Sequence, residues 1–519
     1  MKIKYSLLIS VIFILGSCEE FLKEEPKAFI APNQYYNTED EVTAAIYGVY
    51  DYLNLTGIAE FEWIFLGDCG TDVTVTRNTA RHSYQFSTLE NFRFSDVGGN
   101  FIMWQDYYSA IGAANSVIKR IEDKTNLDNN FKKRIIAEAK FLRGFFYLHL
   151  NLIYGSVPMW LDELNLDEVE YLGTTSSEII RTQIIKDLSE AATDLPPTTT
   201  ENGRVTSWAA KGLLARVYLF DEQWQKAKDM AKDIIDNSGH SLLPSYYDVF
   251  YWKNKFNNEL IHVVPKLADI EGSRIHSHAS PRPFDDNNFF EIPEGEFAIR
   301  PDGFLTRDKN SRNPGSLFQG WGEMQSTKEN YDSFELGDSR RDMWWHELKF
   351  TDGSSYTFSG GSSNDLPGRS GYYDLKWIAW DEKPNNGSRD IILQRLSEIY
   401  LILAEAENEI NGPTPEAYEA INTIRRRAFG DNQHDLKDLS KNEFRKAIID
   451  ENRWELGGEG LRRWYLWHWG YDVYLDAAEF IKESNPLLVQ NLKPHHKWFK
   501  IPSEEIIKNP NLIQNPGYE

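Results

Sequence analysis

RVTSWAAKGLLARVYLFDEQWQKAKDMAKDIIDN, residues 204–237, is the most regular stretch of the 519-residue chain and the one that decides the fold class. Leu214, Ala215 and Tyr218 fall on one helix, and Ala227 and Ala231 on the next. Small residues at these offsets let two antiparallel helices approach closely. A weaker copy occupies 396–428, with Leu403 and Ala404, a turn at Gly412-Pro413, then Ala417, Ala420 and Ile424. Helical periodicity also covers 104–121, 131–154 and 177–195, the last stopping at Pro196-Pro197, which cannot continue a helix. Nearer the start, Thr38 and Glu41 form a capping box for a helix reaching about Leu53.

About four hairpins can be traced in this way, and their offsets match the tetratricopeptide (TPR) template. The expected class is mainly α, a TPR-like superhelix of helical hairpins with long irregular loops and a few short strands. Residues 56–100 lack a helical period and read as loop. Residues 239–390 are irregular, with β-like runs at 260–264 and 376–380, and they are rich in Trp. Trp321, Trp344, Trp345, Trp377 and Trp380 all lie there. Loops this long in a compact protein are usually functional, so the helices read as scaffold and the loops as function.

Composition narrows the class of partner. With 79 Asp+Glu against 56 Lys+Arg the net charge is −23, which argues against nucleic acid as a partner, since binding phosphates needs clustered cations. Hydrophobic residues at 41% and aromatics at 14% supply the apolar area that disordered chains lack. Lys2 and Lys4, an apolar run from 6 to 15, and Leu15-Gly16-Ser17-Cys18 make an export signal. Ten apolar residues in a helix reach about 15 Å, half of a bilayer core. Small residues directly before Cys18 resemble the lipobox of bacterial lipoproteins. That resemblance implies cleavage after 17, a net charge of −25 once Lys2 and Lys4 are gone, and lipid attachment at Cys18. Two or more acyl chains hold a membrane stably. Cys69 is then the remaining thiol, so no internal disulfide is expected.

Several short motifs, in order, resemble the SusD/RagB family of outer-membrane lipoproteins. They include Trp104-Gln105-Asp106-Tyr107-Tyr108, Ala137-Glu138-Ala139-Lys140-Phe141-Leu142-Arg143-Gly144, and Leu396-Ser397-Glu398 through Ala404-Glu405-Ala406. Arg425-Arg426-Arg427-Ala428, Arg453-Trp454-Glu455-Leu456 with Glu459-Gly460, and the tail from Asn509-Pro510-Asn511-Leu512 to Asn515-Pro516-Gly517-Tyr518 complete the set. One stretch departs from the family pattern: Tyr465 and His468 stand where an Asp and an Arg would pair. The resemblance implies a signal peptide at 1–17, an N-terminal TPR-like region at 18–238 and a C-terminal region at 239–519, packed as one globule. It also implies a non-enzymatic, cell-surface protein of the outer membrane that captures glycan for a SusC-like TonB-dependent transporter. Glu19-Glu20 after Cys18 is similar to the acidic surface-export signal of such lipoproteins.

Catalytic and metal chemistry find little support in the residues. Glu405 and Glu407 point apart on a helix, and Asp68 and Asp72 lie in a loop where acids more often cap backbone N–H groups than hydrolyse sugars. His276 and His278, expected on one face of a strand, and His495-His496 lack partners at metal-ligand spacing, and all read as exposed. No cofactor and no metal are expected. Sugar binding has physical support, because a pyranose packs its C–H face on an aromatic ring and its hydroxyls need planar polar partners. Two stretches supply both, 72–94 and 321–345. The expected ligand-binding residues are Trp321, which is flanked by glycines, then Arg81, Asp72 and Asn78, then Tyr84 and Trp345. Trp377 reads instead as core. The rival reading is a transporter lid that takes a peptide or another nutrient and has no sugar site.

Overall fold

The computed structural model describes residues 35–76, 90–92, 102–164, 166–169, 171–280, 284–285, 288–289, 295–300, 303–307, 322–349, 353, 355–357, 369–378 and 386–518. Each expected helix is present, closed by local chemistry. In α1 (Glu39–Asp51) the Thr38 hydroxyl accepts from the Glu41 N–H at 3.2 Å, and the Glu41 carboxylate accepts from the Thr38 N–H at 3.1 Å. Asp128, Ser176 and Thr206 cap α4 (Asn129–Tyr154), α5 (Ser177–Asp194) and α6 (Ser207–Phe220) by accepting from first-turn N–H groups, without the reciprocal carboxylate bond. These follow α2 (Phe61–Asp68) and α3 (Ile102–Glu122).

The helices stack in sequence. α3 lies on α4, α4 on α5, α5 on α6, and α6 on α7 (Trp224–Asn237). The chain then leaves for some 160 residues and returns to the same stack, where α8 (Leu396–Asn411) packs on α7 and carries α9 (Pro415–Phe429) and α10 (Lys441–Leu456). α11 (Arg462–Trp469) and α12 (Tyr471–Phe480) close the set. Ala227, Ala231, Ala404, Ala417 and Ala420, the small residues of the hairpin pattern, are buried at these contacts. The tail is pinned to the end of α4, with Asn515 Nδ2 donating to the Tyr154 carbonyl at 2.9 Å and the Phe499 carbonyl at 2.7 Å. Among the described residues no helix is long and apolar enough to cross a membrane.

Three local expectations are corrected. Residues 56–100 are not all loop, since Thr56–Ala59 and α2 are helical. α2 is apolar nearly all round, so it shows no 3.6-residue period, and every one of its residues except Glu62 is buried. Its Gly67 sits where an added Cβ would lie 1.8 Å from the Gly460 carbonyl oxygen, a backbone approach only glycine permits. The run at 376–380 opens as a 3-10 turn, Leu375–Trp377, capped by Asp374, rather than a strand. His276 and His278 lie on a short helix, Ile275–Ala279, and are buried, not solvated on a strand. The expected strand at 260–264 is β2 (Leu260–Val264), paired antiparallel with β6 (Ile391–Arg395).

Candidate functional site

Outside the helical stack the chain builds a four-stranded antiparallel sheet. Its strands are β1 (Thr74–Thr76), β3 (Met324–Thr327), β5 (Arg369–Asp374) and β4 (Trp344–Trp345), in that spatial order. The stretch 72–94 contains β1, and the stretch 321–345 contains β3 and β4. The segment carrying Asn78, Arg81 and Tyr84 departs after Thr76 and returns at Glu90. There the buried Glu90 carboxylate accepts from the Thr76 N–H at 3.1 Å, from the Thr76 hydroxyl, and from Asn485 Nδ2 at 2.9 Å. Gly70 lies against this joint with φ +77, and a Cβ there would sit 2.4 Å from the Glu90 carbonyl oxygen. After Trp321 the chain is fixed by Glu323, whose carboxylate meets His278 Nδ1 at 2.6 Å. Asn78, Arg81, Tyr84, Trp321 and Cys18, the expected point of lipid attachment, themselves lie outside the described residues.

The other two expected ligand residues are placed differently from their sequence reading. Asp72 is 1% exposed, with Oδ1 2.8 Å from Arg462 Nε, Oδ2 2.8 Å from Arg462 NH2, and Oδ2 3.3 Å from Arg453 NH1. Burial alone would raise its pKa, but the two guanidinium groups outweigh it and hold the carboxyl below the usual range. Asp72 therefore ties β1 to α10 and α11 from inside. Trp345, paired with Tyr373 across β4 and β5, is buried in the main core. A sequence window that shows aromatics and acids together does not show which side of a strand each one takes.

Other side chains form a platform on the sheet. Tyr331 and Tyr372 stack with ring centroids 4.5 Å apart, His346 lies 4.6 Å from Tyr372, and the Arg341 guanidinium sits 4.2 Å over Tyr331. Tyr331, Arg341 and His346 are half-buried, while Tyr372 is buried and backs Tyr331 from the sheet; Arg341 Nε is buried without a hydrogen-bond partner. The half-buried Tyr331 ring, the His346 imidazole and the Arg341 guanidinium present apolar and donor groups side by side, which can contact a sugar ring and bond to its hydroxyls. Tyr331 and Arg341 fall inside the aromatic window at 321–345, but their spacing carries no signal that would single them out. Among the described residues no group of three or more His, Cys, Asp or Glu is placed to hold a metal ion.

The residues of the family-like motifs support the sheet from behind rather than face a ligand. Arg395 spans Glu455 at 2.5 Å and Glu459 at 2.7 Å and reaches Glu259 at 3.1 Å. Arg340 bridges Asp338 at 2.7 Å and Glu451 at 2.5 Å, Arg425 joins Glu451 at 3.0 Å, and Arg427 pairs with Glu259 and Glu455. Lys376, just after β5, meets Glu459 at 2.8 Å and the Glu455 carbonyl at 3.2 Å. Five cations thus face Asp338, Glu259, Glu451, Glu455 and Glu459 in an interior lattice, each charge compensated as burial requires. Asp68 and Asp374 stand next to it. Burial pushes both carboxyls up to about 7, against the pull of Lys376 and of backbone N–H donors; Glu459 raises both, and Asp68 further raises Asp374. Trp377, the core reading, is fully buried, and its Nε1 donates to the Gly458 carbonyl at 2.6 Å.

The departure at Tyr465 and His468 is also explained. The Tyr465 hydroxyl donates to Glu398 Oε1 at 2.9 Å, and His468 Nε2 lies 2.9 Å from Glu405 Oε1. Instead of pairing with each other, both side chains turn onto carboxylates of α8. Glu407, two residues on, faces Lys228 at 2.6 Å on the other side of the helix, so it and Glu405 do not converge.

Comparison with known proteins agrees with this architecture. The SusD family profile matches residues 338–518, and a second, described as starch-binding associating with outer membrane, matches 20–219. SusD-like protein P25 of Formosa agariphila is 31% identical over the whole of both chains. A solved laminarin-binding SusD-like protein superposes with a TM-score of 0.74 at 25% identity, covering 93% of this chain and 100% of the other. Surface glycan-binding protein A of Bacteroides thetaiotaomicron, solved with laminarihexaose, gives 0.72 at 20% identity over 92% of this chain and 99% of its own. With the hairpin stack and a relative 31% identical and matched from end to end, this chain belongs to the SusD family.

Proposed function

We propose that the protein is a non-catalytic glycan-binding lipoprotein of the outer membrane. It is held at the cell surface by lipid on Cys18, and it delivers oligo- or polysaccharide to a SusC-like TonB-dependent transporter. The observation that carries the reading is the half-buried cluster of Tyr331, His346 and Arg341, backed by Tyr372 of β5. Trp321, Arg81, Asn78 and Tyr84 remain the loop residues expected to complete it. The laminarin-binding neighbour makes laminarin the first glycan to try.

The test is an affinity gel with the soluble chain beginning after Cys18, run against laminarin and a panel of plant and host polysaccharides. Retardation by one polysaccharide, lost in both Trp321→Ala and Tyr331→Ala with the melting temperature kept, is the expected result. A protein that no polysaccharide retards would sink the glycan reading and favour a lid for peptide or another nutrient.

A further inference from the structure

A cleft of about 490 Å³, with no residue of the four-stranded sheet in its lining, lies between α1, the turn before α6 and the chain at the end of β2. That volume is within the range of small-ligand sites. One wall is the backbone of α1 at Gly48, which is exposed and where an added Cβ would meet no atom within 4 Å. Glycine weakens a helix interior relative to alanine. Neither close packing nor a left-handed backbone calls for it here.

Beside Gly48, Tyr47 is 44% exposed yet fixed in orientation. Its hydroxyl donates to Glu201 at 2.5 Å, and the Arg204 guanidinium lies 5.5 Å from its ring centroid. Arg204 is itself anchored, 2.7 Å from the buried Glu138 carboxylate. Planar polar groups complete the cleft. Asp51 is exposed, Asn54 Nδ2 donates to Glu271 at 2.9 Å, and Asn202 is exposed and makes no hydrogen bond among the described residues. A further cleft of about 420 Å³ lies across the same turn, so 202–204 forms a ridge over which a longer chain can continue.

A pre-oriented ring with amide and carboxylate groups around it suits a pyranose, whose C–H face stacks while its hydroxyls bond to the planar groups. Charge selects among sugars. The cations near the cleft are already paired, Arg204 with Glu138 and Glu201, and Lys266 bonded to Asn54 beside Asp51 and Glu271, so an anionic ligand finds no uncompensated positive charge there. We propose that this cleft is a second carbohydrate site, taking neutral oligosaccharides and sharing no residue with the sheet platform. It rests on the glycan reading of the chain but is separable from it by experiment.

The soluble chain beginning after Cys18 is made with Thr200→Cys, an exposed position two residues from Asn202, and labelled with a trifluoromethyl group; Cys69 is buried and does not compete. Fluorine NMR follows titration with laminarihexaose, cellohexaose, maltohexaose and xylohexaose to about 10 mM, which reads millimolar affinities. The expected result is a saturable shift with at least one hexasaccharide. Affinity should fall about tenfold or more in Gly48→Trp, which fills the cleft from an open position, and in Tyr47→Ala, while Gly48→Ala binds and is thermally more stable. No shift with any hexasaccharide, a shift unchanged by Gly48→Trp, or the same shift with a neutral hexapeptide would each overturn the proposal. The affinity gel separates the failures: retardation without a tag shift removes the cleft alone, and absence of both removes the glycan reading as well.

Discussion

Replacing Asp72 by Asn distinguishes a ligand residue from an interior brace. The carboxylate makes two 2.8 Å bonds to Arg462 and one of 3.3 Å to Arg453, from a position 1% exposed. Asn cannot neutralise either guanidinium and can accept at one atom only. Breaking a buried pair from one side costs about 3–5 kcal/mol, because the partner charge stays buried without compensation. At about 2.1 cal/mol/K per residue, a 519-residue chain unfolding as one unit has an unfolding entropy of about 1 kcal/mol/K, so the melting temperature should fall by about 3–5 °C. The pH dependence has a definite sign. Asp72 has its carboxyl pKa depressed in the fold, so its contribution is present above the unfolded value and is lost as pH falls through the folded one. The gap between wild type and Asp72→Asn should therefore be full at pH 7 and shrink on acidification. Scanning calorimetry at pH 7 and in acid, with affinity-gel retardation of the folded variant, reads both properties. An unchanged melting temperature with retardation abolished would refute the brace and return Asp72 to the ligand site.

Three further predictions follow from the same interior. Asp374, raised to about 7 by burial, binds its proton more tightly in the fold than in the open chain, so its contribution is lost as pH rises through about 7; Asp374→Asn should gain stability relative to wild type between pH 5 and pH 8, and a constant difference by differential scanning fluorimetry would count against this. Gly458 has φ +92 and an added Cβ would lie 2.0 Å from Asp374 Oδ2, whereas Gly430 has φ +77 with nothing within 4 Å. Gly430→Ala should cost only about 1–2 kcal/mol, and Gly458→Ala more in the same chemical-denaturation series. Tyr465→Phe removes a bond to the Glu398 carboxylate and should cost about 1.5–3 kcal/mol in that series, with retardation by glycan unchanged.

The helical stack was legible because its signals are local. Ala227 with Ala231, the Thr38 capping box and the Pro196-Pro197 stop each act within a few residues, and each is where its spacing placed it. α2 was not legible, because a helix buried on all sides loses the polar face that makes a period visible. The β-like run at 376–380 misled for a different reason. Asp374 caps a tight turn, and Lys376 and Trp377 are drawn inward by carbonyls and a carboxylate from 455–459, more than 75 residues away. His276 and His278 likewise look exposed by composition and are buried by their neighbours.

The distinction between motif and site has the same origin. Arg395, Arg425, Arg427, Glu455 and Glu459 stand out in the sequence as charged residues in recognisable order, and charge in a pattern invites a functional reading. In the fold these charges face one another, and the side chains that could face a sugar, Tyr331, His346 and Arg341, belong to no motif. A buried ion lattice tolerates little exchange, since removing one member strands another, while an exposed ring can be changed without loss of the core. Motifs in this fold thus report the frame that must be kept. Nothing in the order of those charges marks Tyr331, His346 or Arg341, which is why family membership could be read from order alone while the identity of the glycan must be read from the platform by substitution.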